Sequence, residues 1–123
     1  MYQVFETDNK GVVKGGWFDD VIDALTVFFA HGKAGTCSEV CFRKGSQLVL
    51  TLYSPHISHV LICRSGSAEH VSFFTAPETV KNIYESYKVT AADKEMYGDK
   101  PFKYYDTIML LDAATMQIEG YNQ

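Results

Sequence analysis

His56, His59 and His70 fall within fifteen residues of one another, a density that invites metal binding, proton transfer or a charge switch near neutral pH. Two of these imidazoles with Cys63 make a zinc donor set on paper. Spacing argues against it. His59 and Cys63 stand four apart in a segment that reads as a strand, about 13 Å at roughly 3.3 Å per residue, so one ion reaches both only if the strand bends. Cys37 and Cys41 have the same separation, too long for a disulfide, and no C-x-x-C turn occurs. The three cysteines are therefore expected to be structural thiols, which suits a reducing compartment. No metal and no cofactor is expected.

Cations supply a second possibility. Arg43-Lys44 and Arg64 occupy apparent hairpin turns, and Lys33 follows a helix. Converging with His56, His59 and His70, they would hold a small phosphate-bearing or nucleotide ligand, with Tyr53 or a Phe as a stacking partner. Gly32-Lys33-Ala34-Gly35-Thr36 has the composition of a phosphate loop. However, it follows a helix instead of opening one, so it reads as a C-cap with Gly32 as the stop. His56-Ile57-Ser58 and His70-Val71-Ser72 are both H-x-S tripeptides. The pair resembles the motifs of the 2H phosphoesterases, in which each His works on a phosphodiester and each hydroxyl helps hold the phosphate. The motifs here are only 14 positions apart, whereas that family sets them on two pseudo-symmetric halves of a larger chain, so the assignment is not adopted. Nucleophile-elbow, zinc-protease and dinucleotide-loop motifs are missing from the sequence.

A third candidate is a surface. The chain carries eight Phe, eight Tyr and one Trp. Phe102, Tyr104 and Tyr105 lie in Lys100–Asp106, interleaved with lysines and close to Tyr97. Such rings would anchor another protein or a second copy of the chain.

Composition bounds the rest. The 123 residues suggest one domain spanning 1–123, able to hold a core without metal or disulfide. A net charge of −4 argues against a grip on duplex DNA. No apolar run has the length of a membrane span, and Met1–Glu6 lacks the basic-then-apolar order of a signal peptide, so the expected location is cytoplasmic. No internal sequence repeat is visible.

These residues must be positioned by strands and helices. Tyr2–Glu6 alternates as a strand, and Val12-Val13 opens a second that Gly15-Gly16 should break. Asp19 or Asp20 caps a helix over about 19–31, with Val21, Leu25, Phe28 and Phe29 on its core face. Four strands follow over 36–75: Glu39–Phe42, Gln47–Tyr53, His59–Arg64 and His70–Phe74. Their short turns imply an antiparallel meander, with Leu48, Leu50 and Leu52 facing the helices. Thr75-Ala76-Pro77-Glu78 reads as a capping box for a helix over 76–88, whose core face is Val80, Ile83, Tyr84 and Tyr87. A short third helix ending at Gly98, a strand over 102–111 and a short strand within 115–123 complete the reading. The expected fold is α+β: an antiparallel sheet of about five strands with two main helices packed on one face. The expected function is non-enzymatic protein–protein binding, in its most concrete form a phage or mobile-element accessory protein that inhibits a host factor. The alternative is a small-ligand or nucleotide-binding protein, phosphoesterase-like at the extreme.

Overall fold

The computed structural model describes residues 1–8, 10–35, 39–45, 50–92 and 106–122. The chain forms two compact units, Met1–His56 and Ile57–Gln123. The first contains β1 (Tyr2–Asp8), β2 (Gly11–Phe18), α1 (Val21–Ala34), β3 (Glu39–Lys44) and β4 (Thr51–Leu52). The second contains β5 (His59–Ser65), β6 (Ala68–Phe74), α2 (Pro77–Ala92), β7 (Thr107–Asp112) and β8 (Ile118–Asn122). The α+β class is as expected. The single sheet is not: the described residues form two four-stranded antiparallel sheets, β2-β1-β3-β4 and β6-β5-β7-β8.

The meander over 36–75 is therefore split between β4 and β5. Each sheet is built around its own first strand, which pairs with a hairpin partner on one side and with the post-helix strand on the other. Both edges of β1 and of β5 are thus taken, and the helix, not a tight turn, carries the chain across. Each helix packs against the two central strands of its own sheet.

The two units repeat one ββαββ frame, and the repeat extends to register. Tyr2 pairs with Phe18 and Lys44, and His59 pairs with Phe74 and Asp112. From these starting pairs the β1–β3 and β5–β7 ladders run in step to Thr7–Glu39 and Arg64–Thr107. Each helix begins three residues after the second strand ends. Along the first and third strands no equivalent position keeps its residue type, which is why the repeat is invisible in the sequence. One difference interrupts the match. The β1–β2 ladder carries a bulge at Glu6/Thr7, so β2 holds one extra residue.

Local chemistry explains the elements, and the places where they depart from expectation. Asp20 caps α1, its carboxylate accepting from the N–H groups of Ile22 and Asp23 at 2.7 and 3.2 Å. The helix does not stop at Gly32 but runs to Ala34, and Gly35 takes the left-handed C-cap at φ 66°. Gly32 is there for a different reason: a Cβ on it would lie 2.3 Å from the ring of Tyr53. β2 likewise runs through Gly15-Gly16 instead of breaking. A Cβ at Gly15 would press on Cβ of Phe5 at 3.3 Å, so the glycines let strand and neighbour close up. α2 starts at Pro77, in the first turn as expected, which leaves Ala76 at the N-cap.

The face assigned to β4 is inverted. Leu50 and Leu52 are 41% and 51% exposed, while Tyr53 turns inward onto Phe28 and Phe29 at 5.9 and 6.2 Å between ring centroids. Strand side chains alternate, so seating the large Tyr53 ring against α1 puts Leu50 and Leu52 on the other side, while Leu48 lies outside the described residues. The short strand expected near the C-terminus is β8. Cys37, the rings of Tyr97, Phe102, Tyr104 and Tyr105, and the segment of the third helix beyond Ala92 lie outside the described residues.

A candidate ligand cleft in the second unit

The interiors of the two units diverge at equivalent positions. In the first unit, α1 buries Val21, Ala24, Leu25, Phe28 and Phe29. Phe28 stacks edge-on against Phe29, Phe42 and Tyr53, and Tyr2 closes on Phe42 at 5.5 Å. In the second unit, α2 buries Val80 and Tyr84, the counterparts of Ala24 and Phe28, against Leu61, Cys63, Ile108 and Leu110. The positions of Leu25 and Phe29 are taken by Lys81 and Glu85, that of Tyr2 by His59, and that of Lys44 by Asp112. Charged side chains cannot fill the space that rings fill. What remains is an open cleft of about 480 Å³, lined by His59, Lys81, Tyr84, Glu85, Leu110, Asp112, Gln117 and Glu119. That volume lies within the range of about 300–1,000 Å³ typical of metabolite sites.

His59 is the deepest polar group in this cleft, only 7% exposed at the start of β5. Its orientation follows from its neighbours. The Ser58 hydroxyl donates its one proton to the carbonyl of Phe74 at 3.2 Å. Ser58 Oγ also lies 3.0 Å from His59 Nδ1, in hydrogen-bond contact with the ring. Nε2 is turned toward Asp112 Oδ2 at 3.8 Å, beyond hydrogen-bond reach.

Asp112 is anchored from its other oxygen. Oδ1 accepts from the N–H groups of Ala114 and Thr115 at 2.8 and 3.2 Å, which holds the turn into β8. Burial alone would raise its carboxyl; those two amides, with the charges of His59 and Lys81, outweigh burial and hold it below the usual carboxylate range. The cleft thus brings the side chains of Asp112, Glu85, Glu119, Lys81 and His59 together over an apolar floor of Tyr84 and Leu110. No group of three or more metal-ligating side chains occurs among the described residues.

Of the site residues drawn from sequence, the cleft takes His59. His70 sits on β6 opposite Cys63, four residues along β5 from His59 and so about 13 Å away. His56 lies exposed in the turn after β4. The cations are engaged locally. Lys33 Nζ lies 5.9 Å from the ring centroid of Phe29. Arg43 donates from Nη2 to Gln3 Oε1 and lies over the Trp17 ring. Arg64 pairs with Glu69 across the β5–β6 hairpin. Lys44 is half-buried at the end of β3. Cys41 and Cys63 are buried free thiols, and burial pushes Cys63 up to about 11. Lys81, Glu85, Asp112, Gln117 and Glu119 were not singled out from sequence. Lys81 and Glu85 look like an ordinary solvated helix pair until α2 is laid on α1, where both replace buried apolar residues.

The first unit has a smaller hollow of about 110 Å³ beside Gly15, Gly16, Phe18 and Val27. Its buried carboxylate, Glu6, is already paired with His31. No helix among the described residues is long and apolar enough to cross a membrane. Comparison with protein-family models, with curated proteins and with solved structures found no match to this chain.

Proposed function

We propose that this chain is a small non-enzymatic binding protein whose second unit holds a small polar ligand in the His59–Asp112 cleft. One observation carries the reading: a frame that is filled by aromatic rings in one unit is left open and lined with charge at the equivalent positions of the other. A buried histidine, a carboxylate held ionised by two amides and an apolar floor have the anatomy of a ligand site: a few placed polar groups in a concave, partly apolar setting.

The test is fragment mapping by NMR on the isotope-labelled full chain. Amide shifts confined to residues 58–59 and 112–117 support the reading. A fragment library that moves only amides elsewhere, or none, overturns it.

A second reading keeps the docking function expected from sequence, on another protein or on a second copy. It draws support from the sheet edge at β4, where Leu52 and the preceding Leu50 are exposed to solvent. Light scattering of the wild type and of Leu52→Lys tests it. A monomer in both, with no partner retained by either, removes it. Host-factor inhibition is one form of this second reading.

A further inference from the structure

We propose that Arg43 and Trp17 form a further binding site, in the first unit, for an oxyanion carried on a flat ring. The Gln3 amide stands in for one oxygen of that anion. This reading does not depend on the His59–Asp112 cleft.

The ladders set three side chains in one row. Gln3 pairs with Trp17 on β2 and with Arg43 on β3. Tyr2, its neighbour in β1, packs on Phe42, which packs on Phe28 of α1. Alternation therefore puts the row of Trp17, Gln3 and Arg43 on the face turned away from α1. Arg43 reaches over Gln3, with Cζ 5.9 Å from the centroid of the Trp17 ring. Trp17 stands on the edge strand β2 and is 54% exposed.

A guanidinium carries its N–H donors in a rigid fork that matches the oxygens of a carboxylate or phosphate. Here Nη2 donates to Gln3 Oε1, and Nε is buried with no hydrogen-bond partner, the one such side-chain atom among the described residues. None of the ion pairs among the described residues brings a carboxylate to Arg43. A half-buried charge that meets only a neutral amide, with a donor left over, is an incomplete pairing and a costly one. An oxyanion supplies two oxygens to one edge of the fork, where Gln3 supplies one. It also supplies the missing charge. The exposed indole beside the fork gives the rest of the ligand a surface on which to stack. A cationic ligand meets the charge of Arg43, and a neutral ring leaves Nε unmatched.

Trp17 is the only tryptophan of the chain, so its fluorescence reports on this site directly. The full chain is titrated at low ionic strength with adenosine 5′-monophosphate and with benzoate, which carry a phosphate and a carboxylate on a ring. Adenosine and benzamide are the matched neutral controls. At least one of the two anions should change the Trp17 emission saturably, and about tenfold or more tighter than its control; which one does so distinguishes phosphate from carboxylate. Arg43→Lys, which keeps the charge but removes the fork, should weaken binding about tenfold. Gln3→Glu, which offers the fork a carboxylate of the chain's own, should abolish binding and raise the thermal midpoint. Circular dichroism of each variant separates loss of binding from loss of fold. Three results overturn the proposal: no saturation by either anion at millimolar concentration, neutral controls that bind as well as the anions, or binding that a folded Arg43→Lys or Gln3→Glu variant retains in full.

Discussion

The two units are the same ladder of hydrogen bonds with opposite interiors. In the first, position nine of the helix is Phe29 and position five is Leu25, both fully buried. In the second the same positions are Glu85 and Lys81, which border a cleft. Backbone pairing therefore does not require the aromatic plug. The frame tolerates either solution because its central strand is paired along both edges in each unit. Comparing equivalent positions thus separates what holds the fold from what is available for binding, a distinction that neither unit shows by itself.

The sharpest way to break this comparison is at position nine. Phe29→Ala empties a buried aromatic site and should cost about 3–5 kcal/mol. Glu85→Ala should stay within about 0.5 kcal/mol, as for other solvent-facing changes. Chemical denaturation of the two variants measures both, and comparable losses would refute the assignment of plug and cleft. Gly32→Ala comes next. Alanine is the better helix former by about 1 kcal/mol, but its Cβ would sit 2.3 Å from a Tyr53 ring that Phe28 and Phe29 hold in place. The clash should win, for a net loss of about 1–3 kcal/mol.

Grafting the plug sharpens the picture from the other side. Lys81→Leu with Glu85→Phe should abolish uptake of any cleft ligand and raise stability by about 1–2 kcal/mol through added apolar burial. Calorimetry of the double variant, with and without ligand, reads both effects. The helix caps give a smaller contrast. Asp20→Ala should cost about 1 kcal/mol, and Ala76→Asp, which installs the missing acceptor on α2, should return a similar amount to the second unit. Thermal midpoints of the two variants check that the changes have opposite signs. The smallest effect is a pH dependence. Asp112 is held below its unfolded value, so its contribution is present at neutral pH and is lost as acid protonates the folded carboxylate. The gap in midpoint between wild type and Asp112→Asn should hold steady down to about pH 4 and close below it. Solvent screening at a carboxylate 41% exposed keeps this gap small. A gap that widens in acid would reverse the sign assigned here.

Most strands and both helices were legible in the sequence because one face of each is buried, and burial imposes period 2 or period 3.6. Val21, Leu25, Phe28 and Phe29, and later Val80 and Tyr84, were visible for that reason. The split between the sheets was not legible. Alternation tells a strand from a helix, but it does not say whether β4 pairs with the next strand or ends a sheet, since that is decided by which edges β1 and β5 have already filled. The face of β4 runs against the sequence pattern because hydrophobicity favours Leu50 and Leu52 over Thr51 and Tyr53, while the structure favours the single large ring that meets Gly32. The cleft was partly legible. His59 drew notice as a histidine, but Asp112 and Glu119 are brought to it by the β5–β7 and β7–β8 pairings, which are long-range and leave no local signal.

Asp112 faces two ways, gripping the Ala114 and Thr115 amides through one oxygen and overlooking the cleft through the other. A guest that settles on the second oxygen must pull on a carboxylate already tied to the hairpin connection, so occupancy and the opening of that connection are thermodynamically linked. Hydrogen–deuterium exchange at those two amides should slow when the guest arrives, which makes the chain its own gauge of loading without a dye, a label or a catalytic readout.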